Sequence, residues 1–151
     1  MAESTNLYPS VEVPQIKSES EMYNTEYRPS VQWDLAAGDF KRTAANRVPE
    51  SDGVEAYKIW CIKTVYTERD SCLAYSTDIG TEMEAAEQES DRKAVELALN
   101  RTISEAILVN PRTISVSDFS FAWEPDSVHV SFIVRSVDVD PFTVDATLEL
   151  S

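Results

Sequence analysis

Histidine is nearly missing from this chain: His129 stands alone, beside two cysteines, Cys61 and Cys72. Zinc sites draw three or four closely spaced ligands mostly from His and Cys, so no metal is expected here. Glycine is scarce as well, at 3 residues. Phosphate-cradling glycine loops, the GxSxG nucleophile elbow and the HExxH pair are all absent. No apolar run approaches the ~20 residues of a membrane span. Residues 1–14 show no apolar h-region, so no secretory signal is expected. The chain should stay in the cytoplasm when made, with both thiols reduced.

Basic charge is also short, at 13 Lys and Arg against 27 Asp and Glu, for a net charge of −14. Phosphate backbones demand clustered cations, so nucleic acid is excluded as a partner, and an anionic membrane with it. Such a surface favours solubility and basic or polar protein partners.

What remains is ordinary globular material. The chain has 151 residues, 42% of them apolar, which suits one domain, or one domain with an arm. Residues 1–24 are rich in Ser, Glu and Pro and read as an extended N-terminal arm, with Leu7, Tyr8, Val11, Val13 and Ile16 able to dock. Residues 25–151 read as a single α+β domain. Val31, Trp33 and Leu35 alternate with Gln32 and Asp34, predicting a short half-buried strand. Residues 36–50 read as a loop, or as the return arm of a hairpin around Phe40. Ser51-Asp52 caps a helix expected to reach about Tyr66, with Val54, Tyr57, Cys61 and Val65 on one face. Cys61 therefore belongs to a core and is not a reactive thiol. Leu73-Ala74-Tyr75 reads as a brief strand and Asp78-Ile79-Gly80 as a turn.

A second helix begins at Ser90 or Asp91 and runs to about Val109. Its stripe is Val95, Leu99, Thr102 and Ala106, flanked by Ile103 and Ile107, and Pro111 stops it. After it the period changes to two. Phe119, Phe121 and Trp123 alternate with small residues, Glu124 to Ser127 turns the chain, and Val128, Val130, Phe132 and Val134 form the next strand. A turn at Asp138 to Pro141 leads to Phe142, Val144, Ala146, Leu148 and Leu150. These three strands predict an antiparallel meander with one apolar face, which the two helices must cover.

Catalysis finds little support. His129 falls on the polar face of its strand without a nucleophile to pair. Glu82, Glu84, Glu87, Glu89 and Asp91 offer carboxylates, but glycoside hydrolysis needs two carboxylates held in different environments. A dense acidic run gives solvated groups of similar acidity, and it lacks the spacing and glycine of a calcium loop. No catalytic residue and no cofactor is expected.

The order of short motifs is more telling. Asp39-Phe40 precedes Gly53-Val54-Glu55-Ala56, then Thr67-Glu68-Arg69-Asp70, Leu73-Ala74-Tyr75-Ser76 and Asp78-Ile79-Gly80-Thr81-Glu82. The run from Ile103 to Arg112 and the meander follow. In order and spacing this resembles the sheath initiators of contractile tail baseplates. It is most similar to the branch in Gram-positive myophages, defective prophages and tail-like bacteriocins, whose members share an opening like Asn6-Leu7-Tyr8-Pro9. The resemblance runs from about residue 6 to the end. T-even relatives carry Glu-Pro-Arg after the second helix, where this chain has Asn110, Pro111 and Arg112. Asn keeps an acceptor and loses the charge, so a salt bridge made through that Glu does not carry over.

The resemblance implies a non-enzymatic structural protein, made in the bacterial cytoplasm and ending in the tail baseplate of a virion or particle. Six copies would surround the tail tube or hub, touch the baseplate wedge proteins and present strands to the sheath protein. Asn110, Pro111 and Arg112 would make a wedge contact or secure the core beneath it. The last strand, Phe142, Thr143, Val144, Asp145, Ala146, Thr147, Leu148, Glu149 and Leu150, is expected to lie at the sheet edge and bind sheath. The alternatives are an internal strand, or one covered by the arm. A small acidic cytoplasmic adaptor or chaperone-like binding protein is the competing function, and a small hydrolase a third.

Overall fold

The computed structural model describes residues 25–149, so the expectations for residues 1–24 and Leu150 lie outside it. Four two-residue strands come first: β1 (Ser30–Val31), β2 (Trp33–Asp34), β3 (Asp39–Phe40) and β4 (Glu50–Ser51). Helix α1 (Gly53–Val65), a short α2 (Met83–Glu87) and α3 (Arg92–Leu108) follow. The chain then forms β5 (Thr113–Trp123), β6 (Ser127–Ser136) and β7 (Val139–Glu149), an antiparallel sheet in the order β5-β6-β7. The fold is α+β.

Local chemistry places the helices. Asp52 Oδ1 accepts from the Glu55 amide at 2.8 Å and caps α1, whose last turn carries Lys63. Both charges suit the helix dipole. Along α3 the buried residues are Val95, Leu99, Thr102, Ile103, Ala106 and Ile107, the stripe that the sequence spacing predicts. α1 lies against β7 and α3 against β5. Their apolar faces meet Val128, Val130, Phe132 and Val134 of β6 and Val144, Ala146 and Leu148 of β7 in one core. Each of the valine, leucine and phenylalanine side chains among them contributes about 1.5–3 kcal/mol when fully buried.

A polar chain joins three elements through this core. Thr113 Oγ1 donates to the Ile107 carbonyl at the end of α3, 2.9 Å away. Its single proton is thereby used, so the Tyr57 hydroxyl, 2.7 Å away, is the donor in their shared bond. Opposite, Trp123 Nε1 donates to Glu96 Oε1 at 2.8 Å and ties β5 to α3.

Three expectations need correction. Val31, Trp33 and Leu35 do not form one half-buried strand. The chain splits at Gln32, whose amide donates to the Pro49 carbonyl, and Leu35 falls in an exposed turn. Trp33 and Phe40 face each other across the β2–β3 hairpin, and Lys63 Nζ sits 3.3 Å from the Trp33 ring. Leu73-Ala74-Tyr75 is a turn, because the segments before and after it are clasped together. Glu68 bridges to Thr81, Arg69 pairs with Glu82 at 2.7 Å, and Gly80 at φ +107° brings its Cα against the Thr67 carbonyl. The last hairpin turns at Val137–Asp138, with Asp138 at φ 54°, so Pro141 lies inside β7. Asp140 and Pro141 there oppose Arg135 alone, a bulge of the kind that tolerates proline. β5 starts at Thr113, ahead of the alternation at Phe119, Phe121 and Trp123. Irregularities at Ile114 and at Asp118, which has φ 57°, break the alternation that would have marked it.

Candidate functional site

β7 forms one edge of the sheet and β5 the other. The two edges are unlike. β5 carries two register breaks, which twist an edge and spoil it as a template. From Phe142 to Glu149, β7 pairs with β6 without interruption. Val144, Ala146 and Leu148 point into the core, while Thr143, Asp145, Thr147 and Glu149 are exposed.

One hydrogen bond fixes which backbone groups point outward. The Thr147 amide donates to the Tyr66 hydroxyl at 2.9 Å, so Thr147 faces away from β6. The alternation of an extended strand gives Thr143 and Asp145 the same direction. No described residue pairs with their outward amides. Tyr66, one residue past α1, thus caps one position of an edge that the described residues otherwise leave open. Lys58, midway along the same helix, has its Nζ 5.2 Å from the Phe142 ring centre. On the solvent face His129 Nδ1 lies 3.1 Å from Thr147 Oγ1, and Nε2 lies 3.8 Å from Asp145 Oδ1.

Beside Tyr66 the edge opens into a hollow of about 410 Å³. Val65, Met83 and Leu148 form its apolar floor, and Glu68 and Glu149 stand at its rim. Glu68 Oε2 accepts from the Met83 amide at 3.0 Å and so caps α2 from a distance. Burial pushes its carboxyl above the ordinary range.

The other predicted group lies where β7 begins. Asn110 Oδ1 accepts from the Arg112 amide at 3.0 Å and lies 3.4 Å from its guanidinium. The Arg112 Nε donates to the Glu26 carbonyl at 2.8 Å, the Nη2 donates to the same oxygen, and the guanidinium lies over the Tyr27 ring. Tyr27 in turn donates to the Val137 carbonyl at 2.6 Å and packs edge-on to Tyr57. Gly53 permits this close approach, since a Cβ there would stand 2.0 Å from the Tyr27 carbonyl oxygen. Arg112 therefore faces the entering chain at this end of the sheet, while Tyr66 and Glu68 occupy the other end.

The cysteines differ sharply. Cys61 is fully buried and Cys72 is exposed. Burial pushes the Cys61 thiol from 9.0 up to about 12. A raised acid favours the folded state below the unfolded value, and that contribution is lost as pH rises from about 9 towards about 12. At pH near 8, iodoacetamide should modify Cys72 in the folded protein and reach Cys61 only in denaturant. Mass spectrometry after a timed reaction checks this, and equal labelling of both would contradict it.

Among the described residues no group of three or more His, Cys, Asp and Glu is placed to hold a metal ion. Nor is any helix among them long and apolar enough to cross a membrane. The family model for the contractile injection system sheath initiator matches residues 30–139. The phage-like element PBSX protein XkdS of Bacillus subtilis strain 168 is 28% identical over 146 residues, covering 95% of this chain and 93% of that protein.

Proposed function

Since the chain belongs to the contractile injection system sheath initiator family, we propose that it links the baseplate wedge of a contractile tail to the first sheath ring, and starts sheath assembly by accepting a strand along β7. The observation that carries this is the asymmetry of the sheet. One edge is broken twice, and the other runs without interruption from Phe142 to Glu149, beyond its single bulge at Asp140 and Pro141, with the outward amides of Thr143 and Asp145 left open by the described residues. An extended segment adds to such an edge through main-chain bonds and takes its specificity from alternate side chains.

The acidic positions Asp145 and Glu149 discourage two copies of β7 from pairing and favour a basic partner strand. The role is structural and needs no catalytic step. Asn110, Pro111 and Arg112 serve the wedge side indirectly in this reading. Arg112, bonded through its amide to Asn110, holds the Glu26 carbonyl, while Tyr27 is bonded to the Val137 carbonyl at the same end of the sheet. The family resemblance adds six copies around the tube or hub.

Removing the gene from its particle should leave baseplates and tubes without sheath, with the sheath protein soluble or polymerised off-axis. Electron microscopy of the particles, with mass spectrometry of their content, reads this. Normally sheathed tails lacking the protein would refute the role.

A further inference from the structure

We infer that the hollow at the far end of the β7 edge is the anchor pocket of the incoming strand, and that it receives a lysine or arginine side chain from that strand. The inference rests on the strand-addition reading above and names the partner chemistry that such a strand must carry.

Register comes first. Tyr66 takes the outward amide of Thr147, so a ladder added to β7 runs past Thr143 and Asp145 and is halted by the Tyr66 ring. The hollow lies directly beyond, with Tyr66 as its wall. The next side chain on the helix side of the incoming strand enters it.

The lining then selects that side chain. Val65 and Leu148 are almost completely buried and, with Met83, offer an apolar floor to a methylene stem. Glu68 and Glu149 at the rim offer oxygen atoms to a charged end. Long basic side chains are built for this division, with the stem on apolar surface and the head at its edge. Among the described residues no lysine or arginine forms an ion pair with Glu68 or Glu149. The amide bond that Glu68 accepts from Met83 leaves lone pairs over. Burial raises its pKa, and the neighbouring Glu84 and Glu82 charges push it the same way. An apolar occupant would desolvate Glu68 further, and an acidic one would add repulsion. A second copy of β7 would set its own Asp145 and Glu149 against this rim.

The test measures binding of the full-length chain to purified subunits of the particle's own sheath protein, at low and at high salt. Glu68→Gln combined with Glu149→Gln keeps the shape and one acceptor oxygen of each side chain while removing its charge. It should weaken binding about tenfold or more and flatten the salt dependence. Glu149→Gln alone, at the exposed strand end, should lose about threefold and guards against a folding defect at Glu68. Wild-type affinity and salt dependence in both variants would overturn the pocket. Thr143→Pro separates the two claims. If it abolishes binding while the glutamine variants bind normally, strand addition stands and the basic anchor falls. If it too binds normally, strand addition itself fails.

Discussion

Proline at Thr143 or at Asp145 yields a chain that folds, enters the baseplate and leaves bare tubes. Both residues direct their amides away from β6, because they share the parity of Thr147, whose amide reaches Tyr66. Proline there removes no bond of the existing ladder. Both side chains are exposed, so no core contact is lost. An added strand, in contrast, loses a donor and meets a pyrrolidine ring. Leaving the partner's buried carbonyl without its donor costs roughly 1–3 kcal/mol, or about five- to a hundredfold in affinity. Deleting everything after Pro141 is not an equivalent experiment, because it would take Val144, Ala146 and Leu148 out of the core. Thermal unfolding of the purified variants close to wild type, with sheathless tubes in the particle, is the expected pair of results. Sheathed tails carrying either variant would remove β7 as the recruiting strand.

The largest stability effect should come from Phe132→Ala. Phe132 is fully buried on the central strand, and its ring stacks on Phe119 at 5.1 Å. It lies on the sheet face that both long helices cover, so the space it leaves cannot be filled by a small movement of one of them. Removal of a buried phenylalanine side chain costs about 3–5 kcal/mol, a large part of the ~5–15 kcal/mol that holds a domain of this size together. Urea unfolding should show a midpoint lowered accordingly with an unchanged slope. A loss below about 1 kcal/mol, the range of ordinary surface changes, would mean that the core is not centred on β6.

Much of the fold could be read from periodicity. The stripe of α3, the cap at Asp52 and the alternation of β6 and β7 are local patterns, and burial follows each of them. The misses are places where distant groups decide. α2 is a five-residue helix inside an acidic run, with an N-terminus satisfied by Glu68 and a preceding amide bound to Thr102 Oγ1. No window of sequence contains those partners. Leu73-Ala74-Tyr75 has strand composition, yet the Arg69–Glu82 clasp holds it outside the sheet. The first half of β5 is hidden by its own bulges.

The candidate site divides the same way. That the last strand of a meander lies at an edge follows from chain order alone. That Tyr66 caps it and Glu68 flanks it does not, since Tyr66 and Thr147 are 81 positions apart. The Asn110 side-chain oxygen is an acceptor legible in the sequence, and it meets the Arg112 amide only two positions away.

Amide hydrogen exchange on β7, with and without the sheath protein, tests the central claim most directly. The inward amides of Val144, Ala146 and Leu148 are bonded to β6 in the free chain and serve as the internal reference. The account predicts that Thr143 and Asp145 exchange fast in the free protein and slow on the order of a hundredfold or more when sheath subunits bind. Unchanged exchange at Thr143 and Asp145 in a complex that demonstrably forms would contradict it.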